Sequence, residues 1–168
     1  MPDDRRPTPP DAPLLRVQGL SKHYALPGKG QFKALNAVSF ELQDGRTLGI
    51  VGESGCGKST LARTLMRLVD ASSGTVDFGG VPWIAPGAEP GRAERRWMQM
   101  VFQDPFSSLN PKHSIGEIVR EPLDIHWTDR SREQRMQRVR ELLKTVGLAA
   151  SDADKYPHEF SGGQRQRI

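Results

Sequence analysis

In this chain of 168 residues, one short run places glycines among small and polar side chains and restricts the possible folds more than any other segment. The run comprises Gly52, Glu53, Ser54, Gly55, Cys56, Gly57, Lys58, Ser59 and Thr60 and matches the pattern G-x-x-x-x-G-K-[S/T]. An apolar stretch over 46–51 precedes it and predicts a buried strand, and helical spacing follows over 58–69. A strand that leads through a glycine-rich turn directly into a helix is typical of a phosphate-binding α/β fold.

The residue types in this run suit a polyphosphate. Glycine permits positive φ, so the loop can turn its amide N–H groups inward around an anion, and the helix adds the positive end of its dipole. Lys58 would place a charge on the β- and γ-phosphates, and the Ser59 hydroxyl would ligate Mg²⁺. A chance match in a glycine-rich turn is the alternative. Cys56 is either a small residue that the loop tolerates or a thiol activated by Lys58 and the helix start.

Hydropathy patterning predicts mostly strands up to about residue 103 and mostly helices after it. The predicted strands cover 14–20, 34–42, 46–51, 75–78 and 98–102. The predicted helices cover 58–69, 114–120 and 131–146. Ser131 and Gln134 have the spacing of a capping box at the start of the last helix. A loop rich in Pro and Gly is predicted over 82–91, and the prolines of residues 1–13 predict a flexible leader.

Charge and composition limit the class of protein. A net charge of +4 is compatible with a nucleic-acid or anionic-membrane surface. However, Glu133 and Glu141 interrupt the densest basic group, which favours a solvated helix face. The chain has one cysteine, no apolar run long enough to span a bilayer and no secretory signal at its N-terminus. These features predict a cytosolic protein that binds no nucleic acid.

A second glycine-bearing turn lies near residue 168, ahead of another predicted helix, and offers a further set of backbone donors for phosphate. It comprises Phe160, Ser161, Gly162, Gly163 and Gln164. This run resembles the signature motif of ABC transporter ATPases, in which Leu is commonest at the position of Phe160. The alternative is a flexible turn without a ligand.

The resemblance covers roughly residues 14–168 and implies roles for individual residues. It implies ATP and Mg²⁺ as ligands of the residue 52–60 loop, with Lys58 as a catalytic residue. Gln103 lies at the position of the Q-loop glutamine, which implies contact with Mg²⁺ or the attacking water. Tyr24 resembles the aromatic residue that stacks on adenine. A polar strand end for Gln103 and an ordinary tyrosine for Tyr24 are the alternatives.

The implied fold is α/β, a P-loop NTPase core of ABC type with an N-terminal antiparallel β part and a helical subdomain. The implied bounds are 14–103 for the core, 104–160 for the helical subdomain and 160–168 for the signature motif with the start of the next helix. The family's Walker B aspartate, catalytic glutamate and switch histidine are not found, since His113, His126 and His158 all precede the signature. We therefore expect a chain that is incomplete at its C-terminus, inactive alone, and left with exposed apolar sheet edges.

Further runs are similar to the ATPase subunits of oligopeptide, dipeptide and nickel importers, and they cover 102–111, 115–118, 121–123 and 156–164. This resemblance implies a head-to-tail heterodimer with a second ATPase subunit, in which residues 161–163 serve the partner's nucleotide. It also implies integral-membrane permease subunits, an indirect solute-binding partner and a peripheral location on the inner face of the cell membrane. A soluble ABC-type ATPase of DNA repair or translation and a non-hydrolysing nucleotide-gated module are the competing interpretations.

Overall fold

The computed structural model describes residues 12–28, 30–102, 104 and 108–168. The chain divides into two compact units, Met1–Met100 and Val101–Ile168. The strands are β1 (Leu15–Leu26), β2 (Gly30–Leu42), β3 (Ser73–Phe78) and β4 (Val81–Ile84). The α-helices are α1 (Lys58–Leu65), α2 (Ile115–His126), α3 (Arg132–Thr145) and α4 (Gly162–Arg165). The predicted domain bounds at 103 and 160 stay a prediction.

The first unit is built on an antiparallel sheet with the strand order β2-β1-β3-β4. The strands predicted over 14–20 and 34–42 are confirmed but are longer, because β1 and β2 pair from Leu15 opposite Leu42 to Leu26 opposite Gly30. Tyr24 therefore lies inside β1, whereas the sequence placed it just after the first strand. The paired backbone continues into this polar end because hairpin hydrogen bonds do not require an apolar side chain at every position.

The β3–β4 hairpin was only partly predicted, since the interpretation of 82–91 as a loop is wrong for its first residues. Gly79 and Gly80 have φ values of 62° and 78°, and Phe78 pairs with Val81. A two-residue turn with both φ values positive is a strong hairpin signal because it matches the twist of the strands. Pro82 is compatible with β4 because this strand lies at the sheet edge.

The predicted strands over 46–51 and 98–102 are wrong, since neither segment is a strand. A β-strand exists through its hydrogen-bonded neighbour, and no described residue pairs with either segment. Several of their apolar side chains lie in solvent, with Val51 92% and Val101 95% exposed, whereas Met98 packs against buried residues of the first unit. The expectation of exposed apolar sheet edges stays a prediction, because neither segment is part of a sheet.

Each unit has its own hydrophobic core. The first core joins the sheet to α1, and its buried members are Leu15, Val17, Leu20, Leu35, Leu61, Val76, Phe78 and Trp83. The second core joins α2, α3 and the segment that follows, and its buried members are Ile115, Val139, Leu143, Leu148, Ala153 and Phe160. Burying one such large side chain stabilises a fold by about 1.5–3 kcal/mol, so these clusters fix the position of the helices.

The helices of the second unit confirm the predicted pattern and extend it. The predicted capping box of α3 is present, because Gln134 N donates to Ser131 Oγ at 3.2 Å and Ser131 N donates to Gln134 Oε1 at 2.9 Å. The helix predicted over 114–120 continues as α2 through Pro122 to His126. Pro122 removes one helical hydrogen bond, but apolar residues before and after it pack on the second core, which offsets this loss.

The basic run of α3 lies among acidic partners. Asp124 accepts a hydrogen bond from Arg120 Nε at 2.9 Å and forms an ion pair with Arg135 Nε at 3.0 Å, and Arg138 pairs with Glu141 at 3.2 Å. Partly exposed ion pairs of this kind contribute roughly 0–1 kcal/mol each. Part of the mixed charge of this helix is thus paired locally. Among the described residues, none of the helices is long and apolar enough to cross a membrane.

Candidate functional site

The loop before α1 has the backbone geometry that its glycines predicted. Gly55 and Gly57 have φ values of 83° and 102°, a region that disfavours other residues. A Cβ atom on Gly57 would lie only 2.5 Å from Ala34 O and 3.3 Å from Leu35 Cδ2. Gly57 is therefore required twice, for its conformation and for the close approach of β2.

The ammonium group of Lys58 lies over this loop. Its Nζ atom donates to Gly52 O and to Glu53 O, both at 2.7 Å, and lies 3.6 Å from Cys56 Sγ. These contacts hold the positive charge against the loop backbone. Ser54 and Ser59 are exposed beside it, and Cys56 is a free, exposed cysteine.

The start of α1 is left open. Gly57 is its N-cap and supplies no side-chain hydrogen bond, and the first turn contains no acidic residue. The first amide N–H groups of a helix have no intrahelical acceptor, and the helix dipole makes this end positive. An anion is the partner that this helix end would bind most favourably.

A cavity of about 120 Å³ lies at the same place. Its lining combines the loop and the start of α1 with two residues of β2, and consists of Phe32, Ala34, Gly55, Gly57, Lys58, Ser59 and Thr60. Phe32 is half exposed, at 51%. The sequence analysis missed Phe32 because nothing in its local pattern ties it to residue 58. The hairpin register is the signal that would have found it.

Tyr24 lies directly opposite Phe32 in the β1–β2 register. Side chains that face each other across an antiparallel pair share one face of the sheet. Tyr24 is 39% exposed, and Lys22 Nζ lies 5.0 Å from the centre of its ring. The structure therefore places the exposed side chain of Tyr24 opposite that of Phe32, which lines the cavity.

The second glycine-bearing turn starts α4 in the second unit. Ser161 is the N-cap, and it forms a capping box in which Ser161 N donates to Gln164 Oε1 at 2.9 Å and Gln164 N donates to Ser161 Oγ at 3.4 Å. Phe160 is only 5% exposed, so its side chain anchors the turn in the second core and does not reach a ligand. Gly162 and Gly163 carry the first amides of the helix, which have no intrahelical acceptor.

The structure thus brings together the residues of the 52–60 loop with part of β2, and places 160–164 in the other unit. Gln103 lies outside the described residues. The fit of a triphosphate to the first site rests on three observations: an uncapped helix, a lysine held at the loop, and a glycine that no larger residue could replace.

Comparison with known proteins assigns the chain to a protein family. Residues 35–168 match the ABC transporter family, and the chain belongs to that family. Membership implies nucleotide binding. The fold agrees, since the chain superposes on the ATP-binding cassette MJ0796, solved as a dimer in a post-hydrolysis state bound to ADP and Pi. The TM-score is 0.73 at 28% identity, over 91% of this chain and 66% of the other.

Relatives with higher identity are named as peptide transport proteins. The chain is 49% identical to the oligopeptide transport ATP-binding protein OppF of Bacillus subtilis over 156 residues, which is 92% of this chain and 51% of that protein. It is 46% identical to the di/tripeptide transport ATP-binding protein DppF of Pseudomonas aeruginosa over 160 residues, which is 92% of this chain and 49% of that protein. The chain thus spans about half the length of these relatives.

Proposed function

We propose that this chain is the nucleotide-binding part of an ATP-hydrolysing subunit that energises the uptake of peptides or related small solutes. The observation that carries the proposal is the open start of α1 beside Lys58. It supplies amides, a dipole and a fixed charge at one point, in a chain that is 49% identical to an oligopeptide transport ATP-binding protein.

Individual residues have distinct roles in this proposal. The amides of 55–60 and the Lys58 ammonium hold the phosphates of ATP, and the Ser59 hydroxyl holds Mg²⁺, with Gln103 as a further contact and catalytic residue. Magnesium uses few protein ligands besides phosphate oxygens, so one hydroxyl fits its needs. When bound, Mg²⁺ neutralises charge on the phosphate oxygens. Tyr24 stacks on the adenine, supported by its register with Phe32.

The signature residues act on a second nucleotide. Ser161, Gly162 and Gly163 cover the ATP held by a partner ATPase subunit in a head-to-tail dimer, and the partner returns the contact. This is supported by the free helix-start amides of the turn and by the dimeric state of the similar cassette. Residues 14–103 form the nucleotide core, and the helical subdomain over 104–160 transmits dimer closure onward.

The transport role follows from the relatives' names. The subunit pairs with a second, different ATPase subunit and docks on integral-membrane permease subunits at the inner face of the cell membrane. A solute-binding protein delivers the cargo from the other side. The support is that relatives with 46–49% identity are named for oligopeptide and di/tripeptide transport.

The decisive experiment compares two lysines in the protein that contains this chain. Lys58→Ala removes the charge at the loop, and Lys144→Ala removes an exposed lysine of α3 as a matched control. We expect Lys58→Ala to weaken MgATP binding by at least about 100-fold and to abolish peptide uptake, since it removes a charge-assisted contact with phosphate. Subunit assembly should be retained. Equal MgATP affinity in both variants would overturn the proposal.

The rate of hydrolysis separates the competing interpretations. MgATP binding without any turnover, in the presence of the partner subunit, would favour the non-hydrolysing module. Substituting Ser161→Arg should block the shared site by bulk and charge. We expect it to abolish hydrolysis in the dimer while MgATP binding to the isolated subunit is unchanged, and unimpaired turnover would contradict the head-to-tail arrangement.

A further inference from the structure

The C-terminal end of α1 is capped in an unusual way. The sequence predicted a helix over 58–69, but α1 ends at Leu65 because Arg67 takes a left-handed conformation with φ of 55°. Leu68 N donates to Arg63 O and Arg67 N donates to Thr64 O, both at 2.9 Å. This is the hydrogen-bond pattern of a Schellman motif, with Arg67 at the position that glycine normally occupies.

The contacts of the Arg67 side chain explain why an arginine occupies this position. Its Nη1 atom donates to Trp83 O at 2.8 Å and to Ala88 O at 3.0 Å. In return, Trp83 Nε1 donates to Leu65 O, the last residue of α1, at 2.6 Å. Hydrogen bonds therefore join the C-terminal end of α1 and β4 in both directions. The Arg67 cation lies at the negative end of the helix dipole.

Trp83 is a firm anchor for these bonds. It is 2% exposed, and its ring contacts that of Phe78 edge-on with 5.7 Å between centroids. By contrast, Leu61 and Thr64 are the only buried residues of α1 itself. A helix of this length behaves as one rigid rod of about 12 Å. Its orientation therefore depends on what holds its two ends.

We propose that Arg67 and Trp83 form a latch that sets the position of the phosphate loop through α1. Arg67 is a positioning residue: it fixes one end of the rod and so fixes the amides and the lysine at the other end. The strained backbone at Arg67 is retained because the guanidinium bonds require a side chain at this position. The nucleotide effect rests on the proposed function, whereas the effect on the helix does not.

The substitution Arg67→Gly separates the latch from helix termination. Glycine is better suited than arginine to the left-handed conformation, so a role in ending the helix alone predicts an equal or more stable protein. Without the latch, the phosphate loop is expected to hold its nucleotide-binding conformation for a smaller fraction of the time. The apparent Kd for ATP then rises in proportion. We expect the KM for ATP to rise about fivefold with kcat at saturating ATP unchanged.

A matched control is Arg63→Ala, which removes an exposed arginine one turn earlier in α1. Its KM should stay within about twofold of the parent. Destabilisation of the whole protein would instead lower kcat at unchanged KM, because fewer molecules would be folded. A KM for Arg67→Gly equal to that of Arg63→Ala would overturn the latch.

Hydrogen exchange without nucleotide tests the latch independently of the proposed function. In Arg67→Gly, we expect the α1 amides to exchange about fivefold faster, with those of β1 and β2 unchanged, because the lost bonds join the end of α1 to Trp83 and Ala88 and involve neither β1 nor β2. Unchanged exchange in α1 would reject the latch. If the parent protein failed to bind MgATP but α1 exchange still rose, the proposed function would fail and the latch would stand.

Discussion

The starts of α1 and α4 differ in how the unpaired backbone groups of the first helical turn are treated. At α4 the N-cap is Ser161, and its capping box with Gln164 satisfies Ser161 N and Gln164 N but leaves the amides of Gly162 and Gly163 without an intrahelical acceptor. At α1 the N-cap is Gly57, which offers no side-chain acceptor. The two other α-helices of the described chain, α2 and α3, also begin with a serine and a capping box.

The difference shows what the glycine at α1 achieves. A serine N-cap would accept from the same amides that an external anion needs, so a built-in cap competes with a ligand. In the first unit this competition is absent, and the nearest cation, Lys58, is held within the loop by backbone carbonyls. An open helix start beside a fixed charge thus sets α1 apart from the three serine-capped α-helices of the described chain.

The largest effect should come from Gly57→Ala. The added Cβ would meet Ala34 O at 2.5 Å in a backbone with φ of 102°. We expect the free energy of unfolding to fall by about 2–4 kcal/mol and nucleotide affinity to fall at least about 100-fold, as measured by denaturation and by titration with MgATP.

Gly163→Ala is the matched control for that change. Nothing lies within 4 Å of a Cβ atom at Gly163. We expect a change in the free energy of unfolding smaller than about 1 kcal/mol, because alanine suits a helix better than glycine. Similar losses at both glycines would mean that the geometry of the first loop has no special requirement.

A smaller effect is expected from Ser131→Ala, which removes a capping side chain from α3. Loss of the acceptor for Gln134 N should lower the free energy of unfolding by about 1 kcal/mol without changing MgATP affinity. Ser131→Asp keeps an acceptor and should recover most of that loss. A fall in MgATP affinity with Ser131→Ala would contradict the separation of capped and open helix starts.

The smallest effect concerns pH at the start of α2. Hydrogen bonds from the Ser114 backbone and hydroxyl lower the pKa of Glu117 below its ordinary value. A carboxyl with a lowered folded-state pKa stabilises the fold fully above its unfolded pKa, and this is lost as pH falls through the folded value. We expect the Ser114 and Glu117 amide NMR signals to shift in acid, at a pH below the ordinary range of a glutamate carboxyl.

Glu117→Gln should remove that titration from both amides while leaving the rest of the spectrum in place. The amides at the start of α1 serve as an internal comparison, since no acidic residue lies in the first turn of that helix. Acid-induced shifts of equal size in Glu117→Gln would assign the titration to another group.

Local patterns predicted the conformation of the loop before α1 and the cap of α3. Glycines at 55 and 57 indicated the positive φ values that the loop adopts, and Ser131 with Gln134 indicated a capped helix. These features depend on residues close in sequence, so their chemistry is readable without the fold. Phe32 was missed because its place beside the phosphate loop depends on β2 passing that loop.

The family was readable from motifs in the sequence, and the geometry of the 52–60 loop and the cap of α3 were readable because each depends on the conformational preferences of a few adjacent residues. Which apolar segments became strands depended instead on tertiary structure. Residues 46–51 and 98–102 have suitable side chains but no paired neighbour among the described residues, whereas β4 forms despite Pro82 because β3 lies beside it. The tertiary structure also decided where α1 ends, because the bonds that hold Arg67 come from residues far along the chain. Pairing and anchoring are long-range interactions, which no local pattern specifies.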